Sequence, residues 1–234
     1  MHTLNKIIMK QQYEVEIKTL LGSYENAEKL KQGLKKAYPN VKLVDQGRQL
    51  NHYFNTPPDV SLLGQKLSPF VPVEKKDAFK NVLSYGKKVS IRTRDADGKV
   101  IFIIKASVGD DTSSNGVKRV EFEIVVPKTL SELDTMILDS GATYQAKWSR
   151  EREEYESGDM HVCFDKNAGY GYLAEFEKTV SSEDVLEDAR KALLSVMKEL
   201  GVEELPQERL ERMFAHYNQN WGKYYGTDRT FVIH

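Results

Sequence analysis

Charged residues recur at a spacing of two along this chain. Glu14, Glu16 and Lys18 form one such run, and Arg92 with Arg94 another. Arg119, Glu121 and Glu123 follow, then Arg150 and Arg152, then Glu175 and Glu177. Lys105 and Asp165 close runs of the same kind. Side chains two apart in a β-strand point the same way, so a closed or nearly closed sheet would aim all of these into one lumen. That lumen would hold seven acids (Glu14, Glu16, Glu121, Glu123, Asp165, Glu175, Glu177) and seven bases (Lys18, Arg92, Arg94, Lys105, Arg119, Arg150, Arg152), which cancel. Carboxylates suit hard divalent cations such as Mg²⁺ or Mn²⁺, whereas guanidinium forks and lysine point charges suit phosphate oxygens. One or two such cations would roughly neutralise a bound triphosphate.

Each pair alone has a plainer reading, a solvated strand face with cross-strand ion pairs. The set as a whole does not fit a dry core, where so many charges are prohibitively costly. A wet tunnel holding a polyanion and metal removes that objection. The chain has no glycine-rich phosphate loop and no kinase-like lysine pattern, so side chains would have to hold the phosphates.

The elements that would position these residues are mostly strands. Residues 13–20 alternate, with Val15 and Ile17 opposite Glu14, Glu16 and Lys18. Residues 49–55 read as a second strand stopped by Thr56-Pro57-Pro58, and 89–94 and 100–106 flank Asp97-Gly98, a hairpin turn signal. Residues 118–126, 145–156, 160–165 and 172–180 complete a set of about eight strands, with a loop at 109–116. Helices are expected over 24–37, after a Thr129/Glu132 capping box, after Ser181 or Ser182, and after Pro206. Residues 59–88 read as an insertion with a short helix around Ala78, Phe79, Val82 and Leu83. The fold class is therefore α+β, an eight-stranded antiparallel β-barrel with flanking helices.

At 234 residues, 40% hydrophobic and 29% charged, the chain suits one large domain with an appendage. The formal net charge is −1, so no global basic field argues for nucleic acid, and no partner of that kind is expected. Cys163 is the only cysteine, which excludes a disulfide framework. No apolar run is long enough to span a membrane and no signal-peptide pattern is present, so the expected compartment is the cytoplasm. A monomer or homodimer is expected.

Taken in order, the motifs resemble the CYTH, or triphosphate tunnel metalloenzyme, family, which groups class IV adenylate cyclases, thiamine triphosphatases and inorganic triphosphatases. Glu14-Val15-Glu16-Ile17-Lys18 is similar to its opening ExExK, and Tyr53-Phe54-Asn55-Thr56-Pro57 to its YFDTP strand, with Asn55 in place of aspartate. Arg92-Thr93-Arg94 looks like its RxR, and Arg119-Val120-Glu121-Phe122-Glu123 like its RxExE. Arg150-Glu151-Arg152 is similar to the later basic pair, with Lys147 an alternative, and Asp165, Gly171, Glu175 and Glu177 to the closing pattern. The likeness covers residues 12–180, within a domain spanning 1–205 that is followed by a helical, aromatic extension at 206–234 packed on it. It implies a triphosphate tunnel in which Glu14, Glu16, Asp165, Glu175 and Glu177 help to hold metal. Glu121 and Glu123 are added to that set as neighbouring tunnel acids. Lys18, Arg92, Arg94, Lys105, Arg119, Arg150 and Arg152 would grip phosphates, and Lys18, Glu14 and Glu16 would stand closest to the chemistry.

The resulting expectation is Mg²⁺- or Mn²⁺-dependent hydrolysis of a small triphosphate: inorganic tripolyphosphate, thiamine triphosphate or a nucleoside triphosphate. Cyclisation of ATP to cyclic AMP and pyrophosphate is the alternative on the same tunnel, and a non-catalytic polyphosphate or nucleotide sensor is a second. His52 and His161 read as structural, and Cys163 as a residue at the tunnel edge without a nucleophile's partner. Arg48 reads as a weak candidate for an extra phosphate contact.

Overall fold

The computed structural model describes residues 13–85, 89–107 and 119–233, apart from the side chains of Ser107, Arg119, Val120 and Glu183. The expected loop at 109–116, the last residues of the insertion (86–88) and Lys118 lie outside the described residues, as does the Arg119 side chain.

Among the described residues eight strands form one antiparallel sheet: β1 (Tyr13–Leu20), β2 (Lys42–Asn55), β3 (Val89–Ala96), β4 (Lys99–Ser107), β5 (Arg119–Val125), β6 (Thr143–Ser157), β7 (Met160–Asn167) and β8 (Gly171–Val180). Their spatial order is β1-β8-β7-β6-β2-β3-β4-β5. The sheet curls on itself, because Lys105 Nζ of β4 comes within 3.5 Å of Glu14 Oε2 of β1, from opposite ends of that order. No ladder joins β1 to β5 among the described strands, so the curl stays open along that seam.

Local sequence accounts for most boundaries. The β3–β4 hairpin turns at Asp97 (φ 49°) and Gly98 (φ 89°), the left-handed pair that a two-residue hairpin needs. Asp97 Oδ2 also accepts from the Arg48 amide at 3.2 Å, tying this turn to β2. β2 begins at Lys42, seven residues earlier than its alternation indicates. Residues 42–46 are exposed and have no apolar face; their extended form comes from pairing with Glu153 to Glu156 of β6, through a register shift between Leu43 and Asp45.

Among the described residues six α-helices flank the sheet: α1 (Tyr24–Ala37), α2 (Ser61–Leu67), α3 (Lys76–Ser84), α4 (Leu130–Leu138), α5 (Leu186–Glu199) and α6 (Gln207–Asn220). Ser23 caps α1, and Thr129 with Glu132 makes the reciprocal capping box of α4. α5 starts later than the serines suggest, since the Ser182 hydroxyl accepts from the Asp184 amide at 3.3 Å and a 3₁₀ turn over Glu183–Val185 intervenes. α2 has no strong signature, being seven residues with Gly64 in the middle. A Cβ at Gly64 would come 2.9 Å from Leu83 Cδ1, so the glycine permits close packing of α2 on α3.

The apolar core lies on the convex side of the sheet, in two clusters. Leu63, Leu67, Phe79 and Val82 of the inserted helices join Leu133 and Ile137 of α4 against Ile91, Phe102, Ile104 and Phe122. Leu30 and Leu34 of α1 with Ala189, Leu193 and Met197 of α5 cover Ile17, Val162, Phe164 and Phe176. Burying these side chains is what fixes strand register, because a one-residue slip would send every one of them to the other face. A third cluster sits elsewhere: Leu210, Met213 and Tyr217 of α6 pack on Trp148, Tyr170 and Leu173, with Leu20 and Tyr53 beside them.

Candidate functional site

With the apolar residues taken to the convex side, the charged set falls on the concave one. Ladder partners share a face, so the registers show the grouping. Lys18 lies opposite Glu175 and Glu16 opposite Glu177. Arg152 lies opposite Asp165, and Arg150 opposite Gln49. Asn51 pairs with Arg94, Tyr53 with Arg92, and Lys105 with Glu121.

Half of this surface is internally neutralised. Asp165, 1% exposed, accepts from Arg150 Nη1 at 2.9 Å and from Arg152 Nε and Nη2 at 2.7 Å each. Arg152 also reaches Glu175, which pairs on its other side with Lys18 at 3.4 Å. Lys18 in turn contacts Glu16. Burial alone would push the Glu175 carboxyl up, but Lys18, Arg152 and Arg150 hold it well below the usual carboxylate range. Burial likewise opposes charge on Arg152, and Asp165 with Glu175 reverses that.

The other half is not neutralised. Among the described residues neither Arg92 nor Arg94 has a carboxylate partner. Arg94 Nε donates to Asn51 Oδ1 at 2.8 Å, and Arg92 lies 4.1 Å above the Tyr53 ring with its Nε buried and unpartnered. Burial, with Arg150 and Arg92 nearby, pulls the Arg94 guanidinium down to about 10. Clustered cations whose neighbours are other cations and neutral side chains are arranged for an anion that the described residues do not themselves supply.

Facing them is an acid-rich wall. One carboxylate oxygen from each of Glu14, Glu16 and Glu177 lies within 4.8 Å of the others. Glu177 has no hydrogen-bond or ion-pair partner among the described residues, and burial, with Glu175 and Glu14 beside it, pushes its carboxyl up to about 8. A partnerless carboxyl held among other carboxylates is what a divalent cation relieves, and an all-oxygen donor set fits Mg²⁺ or Mn²⁺. Cys163, Glu175 and Glu177 make a second group of the same span. It suits a hard cation less well, because burial pushes the Cys163 thiol far up and keeps its proton on, while Glu175 is taken by Lys18 and Arg152. Lys105 joins the two walls, 2.7 Å from Glu121 and 3.5 Å from Glu14; Glu121 and Glu123 are both exposed.

Several sequence expectations are sharpened by this geometry. Arg150, not Lys147, faces the concavity; Lys147 points to the convex side, with its Nζ 4.1 Å from the centre of the Tyr144 ring. Arg48 also points outward and is 81% exposed, since its neighbour Gly47 is the one that pairs with Arg152, so a phosphate contact from it is not supported. His52 is buried on the convex face, bound to Asp134 at 2.6 Å and to the Tyr225 hydroxyl at 2.7 Å. His161 bonds Glu154 at 2.7 Å. Charge alternation alone misses Gln49, Asn51 and Tyr53, which line the concave face of β2 without formal charge. Their signal is alternation with Leu50, His52 and Phe54 on the opposite face.

A search of curated proteins by sequence gave no match. Among solved structures, the PH1819 protein of Pyrococcus horikoshii OT3 superposes with a TM-score of 0.59 at 18% identity, over 86% of this chain and 99% of that one. A putative adenylate cyclase from Vibrio parahaemolyticus gives a TM-score of 0.59 at 15% identity, over 88% and 99%. At these identities the likeness is one of fold. The CYTH domain signature matches residues 12–209, and by that match, on the curled sheet just described, the chain belongs to the CYTH domain family.

Proposed function

We propose that the protein is a divalent-metal-dependent hydrolase of a small triphosphate. The observation that carries this reading is the split of the concave face. Arg92 and Arg94 stand without carboxylate partners among the described residues, opposite three convergent carboxylates from Glu14, Glu16 and Glu177. A phosphate-binding sensor would need the first feature but not the second. Family membership supports a triphosphate-related function.

Under this reading Glu14, Glu16 and Glu177 would hold Mg²⁺ or Mn²⁺, which would supply neutralisation of phosphate charge and a more acidic water. Arg92, Arg94, Arg150 and Lys105 bind the phosphoryl oxygens and stabilise charge that builds up on them in the transition state. Arg152, Glu175 and Asp165 are tied to one another and hold Arg150 and Lys18 in place. The reaction is in-line attack of water oxygen on phosphorus. The bridging P–O bond breaks, its electron pair leaves with the departing phosphate or pyrophosphate, and the proton that water gives up passes to the solvent. In ATP cyclisation a ribose 3′-hydroxyl would replace the water. No observation on the concave face favours that variant.

The test is incubation with tripolyphosphate, thiamine triphosphate or ATP and Mg²⁺ or Mn²⁺, with phosphate, pyrophosphate and cyclic AMP resolved. Metal-dependent phosphate release that drops by about a hundredfold in Glu14→Gln is expected, in line with the usual weight of a metal ligand or its close support. Cyclic AMP as the main product, or tight triphosphate binding without turnover, would replace hydrolysis by the cyclase or the sensor.

A further inference from the structure

Behind the paired arginines, on the convex side of the sheet, lies a buried polar cluster that the reaction above does not use. Asp134 of α4 is its centre. Its Oδ1 accepts from the Thr93 hydroxyl at 2.7 Å, while its Oδ2 accepts from the Tyr144 hydroxyl at 2.7 Å and meets His52 Nδ1 at 2.6 Å. Thr93, His52 and Asp134 are all buried, on elements that also carry Phe54, Ile91, Leu133 and Ile137 of the apolar core. Burial alone would raise the Asp134 carboxyl, but the hydrogen bonds from His52, Thr93 and Tyr144 hold it below its usual range. A carboxylate in that place draws the imidazole proton to Nδ1. Nε2 of the neutral ring is then left to accept from the Tyr225 hydroxyl at 2.7 Å.

The register gives this cluster its meaning. His52 and Thr93 are partners in the β2–β3 ladder, so Asp134 grips one step of that ladder from behind, with one oxygen to each strand. The pairs on either side of that step are Asn51 with Arg94 and Tyr53 with Arg92, which face the concavity. The two arginines repel each other and have no carboxylate partner among the described residues, so the strands beneath them set their separation. Apolar side chains could fill the space behind without desolvating a carboxylate. A fully hydrogen-bonded carboxylate instead fixes its partners in distance and direction. The outer end of the cluster belongs to the segment after α6, beyond the residues that the CYTH signature matches. That segment lies back on the sheet: the Gly226 amide donates to Ser149 Oγ, the Gly169 amide to the Arg229 carbonyl and the Phe231 amide to the Gly169 carbonyl, each at 2.8 Å.

We propose that Asp134 and His52 are positioning residues for Arg92 and Arg94, and that the C-terminal segment joins the site from behind through Tyr225. The Thr93–Asp134–His52 clamp holds β2 and β3 at the spacing that sets the two guanidinium groups, and the Tyr225 hydroxyl fixes the imidazole from outside. An anion held between the arginines acts on the same ladder step. By linkage, the segment from Trp221 to Phe231 docks more firmly when a triphosphate is bound. This inference rests on the triphosphate reading above.

The experiment compares wild type with Thr93→Val, Thr93→Ser and Tyr225→Phe. Tripolyphosphate binding is measured by calorimetry in Mg²⁺, KM and kcat by phosphate release, and backbone hydrogen exchange over residues 221–231 with and without tripolyphosphate. Thr93→Val keeps the side-chain shape and removes the bond to Asp134. It is expected to weaken binding and raise KM about tenfold, with kcat changed by less than about threefold, because two phosphate donors lose their placement. Thr93→Ser restores the hydroxyl and should lie within about twofold of wild type. Tyr225→Phe should raise KM about threefold, and its partly exposed position gives the same comparison if Thr93→Val does not fold. Tripolyphosphate should slow exchange over residues 221–231 in wild type and not in Thr93→Val. A purely structural cluster would lower the unfolding temperature of Thr93→Val but leave its KM and its ligand-dependent exchange as in wild type. That result overturns the inference while leaving hydrolysis intact, and so does an equal rise in KM for Thr93→Val and Thr93→Ser. Unchanged KM in Tyr225→Phe overturns the part assigned to the C-terminal segment. Wild-type protein that binds without turnover is compared by its dissociation constants instead of KM, with the same ratios expected. Wild-type protein that does not bind tripolyphosphate overturns the triphosphate reading and this inference together.

Discussion

Replacing Asp165 by asparagine tests whether the arginines of the concave face are held by buried charge pairing. The carboxylate is 1% exposed and accepts three hydrogen bonds, one from Arg150 and two from Arg152. Those guanidinium side chains are themselves only 13% and 11% exposed, so solvent screens the pairs weakly. An asparagine side chain would keep the shape, keep one acceptor and present an NH₂ group to a guanidinium. Glu175 would still face Arg152, so about one buried cation is left without a counter-charge. Removing one partner of a buried pair costs about 3–5 kcal/mol, and the surviving Glu175 contact places the expected loss near the lower figure, about 3 kcal/mol. Urea unfolding of the metal-free protein reads this directly. A bound polyanion supplies the missing charge, so saturating tripolyphosphate should restore more stability to Asp165→Asn than it adds to the wild type. A loss under about 1 kcal/mol, or equal ligand stabilisation in the two proteins, would refute the claim that Asp165 neutralises Arg150 and Arg152.

Two further outcomes follow from the same surface. Glu177 has a folded-state value of about 8 against an ordinary 4.5, so it favours the folded state when protonated. That contribution is complete below about 4.5 and is lost as pH rises towards 8, so metal-free unfolding midpoints should fall across this window and Glu177→Gln should flatten the fall. Tyr217→Ala empties the space beside Trp148 and over Gly169, where a Cβ would meet the Tyr217 ring at 2.6 Å. It should cost about 3–5 kcal/mol in urea unfolding, as for other buried aromatic truncations.

What is readable from sequence, and what is not, has a physical basis. Charge alternation is legible because its alternative, a charged face in a dry core, is so costly; Glu14, Glu16, Lys18, Arg92, Arg94 and Asp165 all lie where the alternation places them. Caps and turns are legible for local reasons too: Thr129 with Glu132 satisfies free backbone amides at the start of α4, and Asp97-Gly98 supplies the left-handed pair of the hairpin. The start of β2 is not legible, because residues 42–46 are extended only through their partner strand. α2 is not legible either, because a seven-residue helix is held by Leu63 and Leu67 in a core formed by distant strands. Tyr53 is visible as part of a motif, but its place under Arg92 and beside Trp148 depends on the β2–β3 and β2–β6 registers, which no local pattern encodes.

The division of the concave face into paired and unpaired halves also bears on how such a surface can exist before a ligand arrives. Inward charges left independent would repel and desolvate one another. Here Asp165, Glu175 and Glu16 neutralise Lys18, Arg150 and Arg152 in a connected network, which leaves the unfavourable electrostatics concentrated in two places. One is the Arg92–Arg94 pair, whose burial is eased by Tyr53 and Asn51. The other is Glu177 among Glu14, Glu16 and Glu175, eased by taking up a proton. An anion relieves the first and a divalent cation the second. Each also lowers the cost of the other, because phosphate oxygens next to the carboxylates need the cation between them. Triphosphate and metal should therefore bind with positive coupling, each raising the affinity for the other by the same factor. Calorimetric titration of tripolyphosphate with and without Mg²⁺ measures that factor, and equal affinities in the two titrations would contradict the coupling.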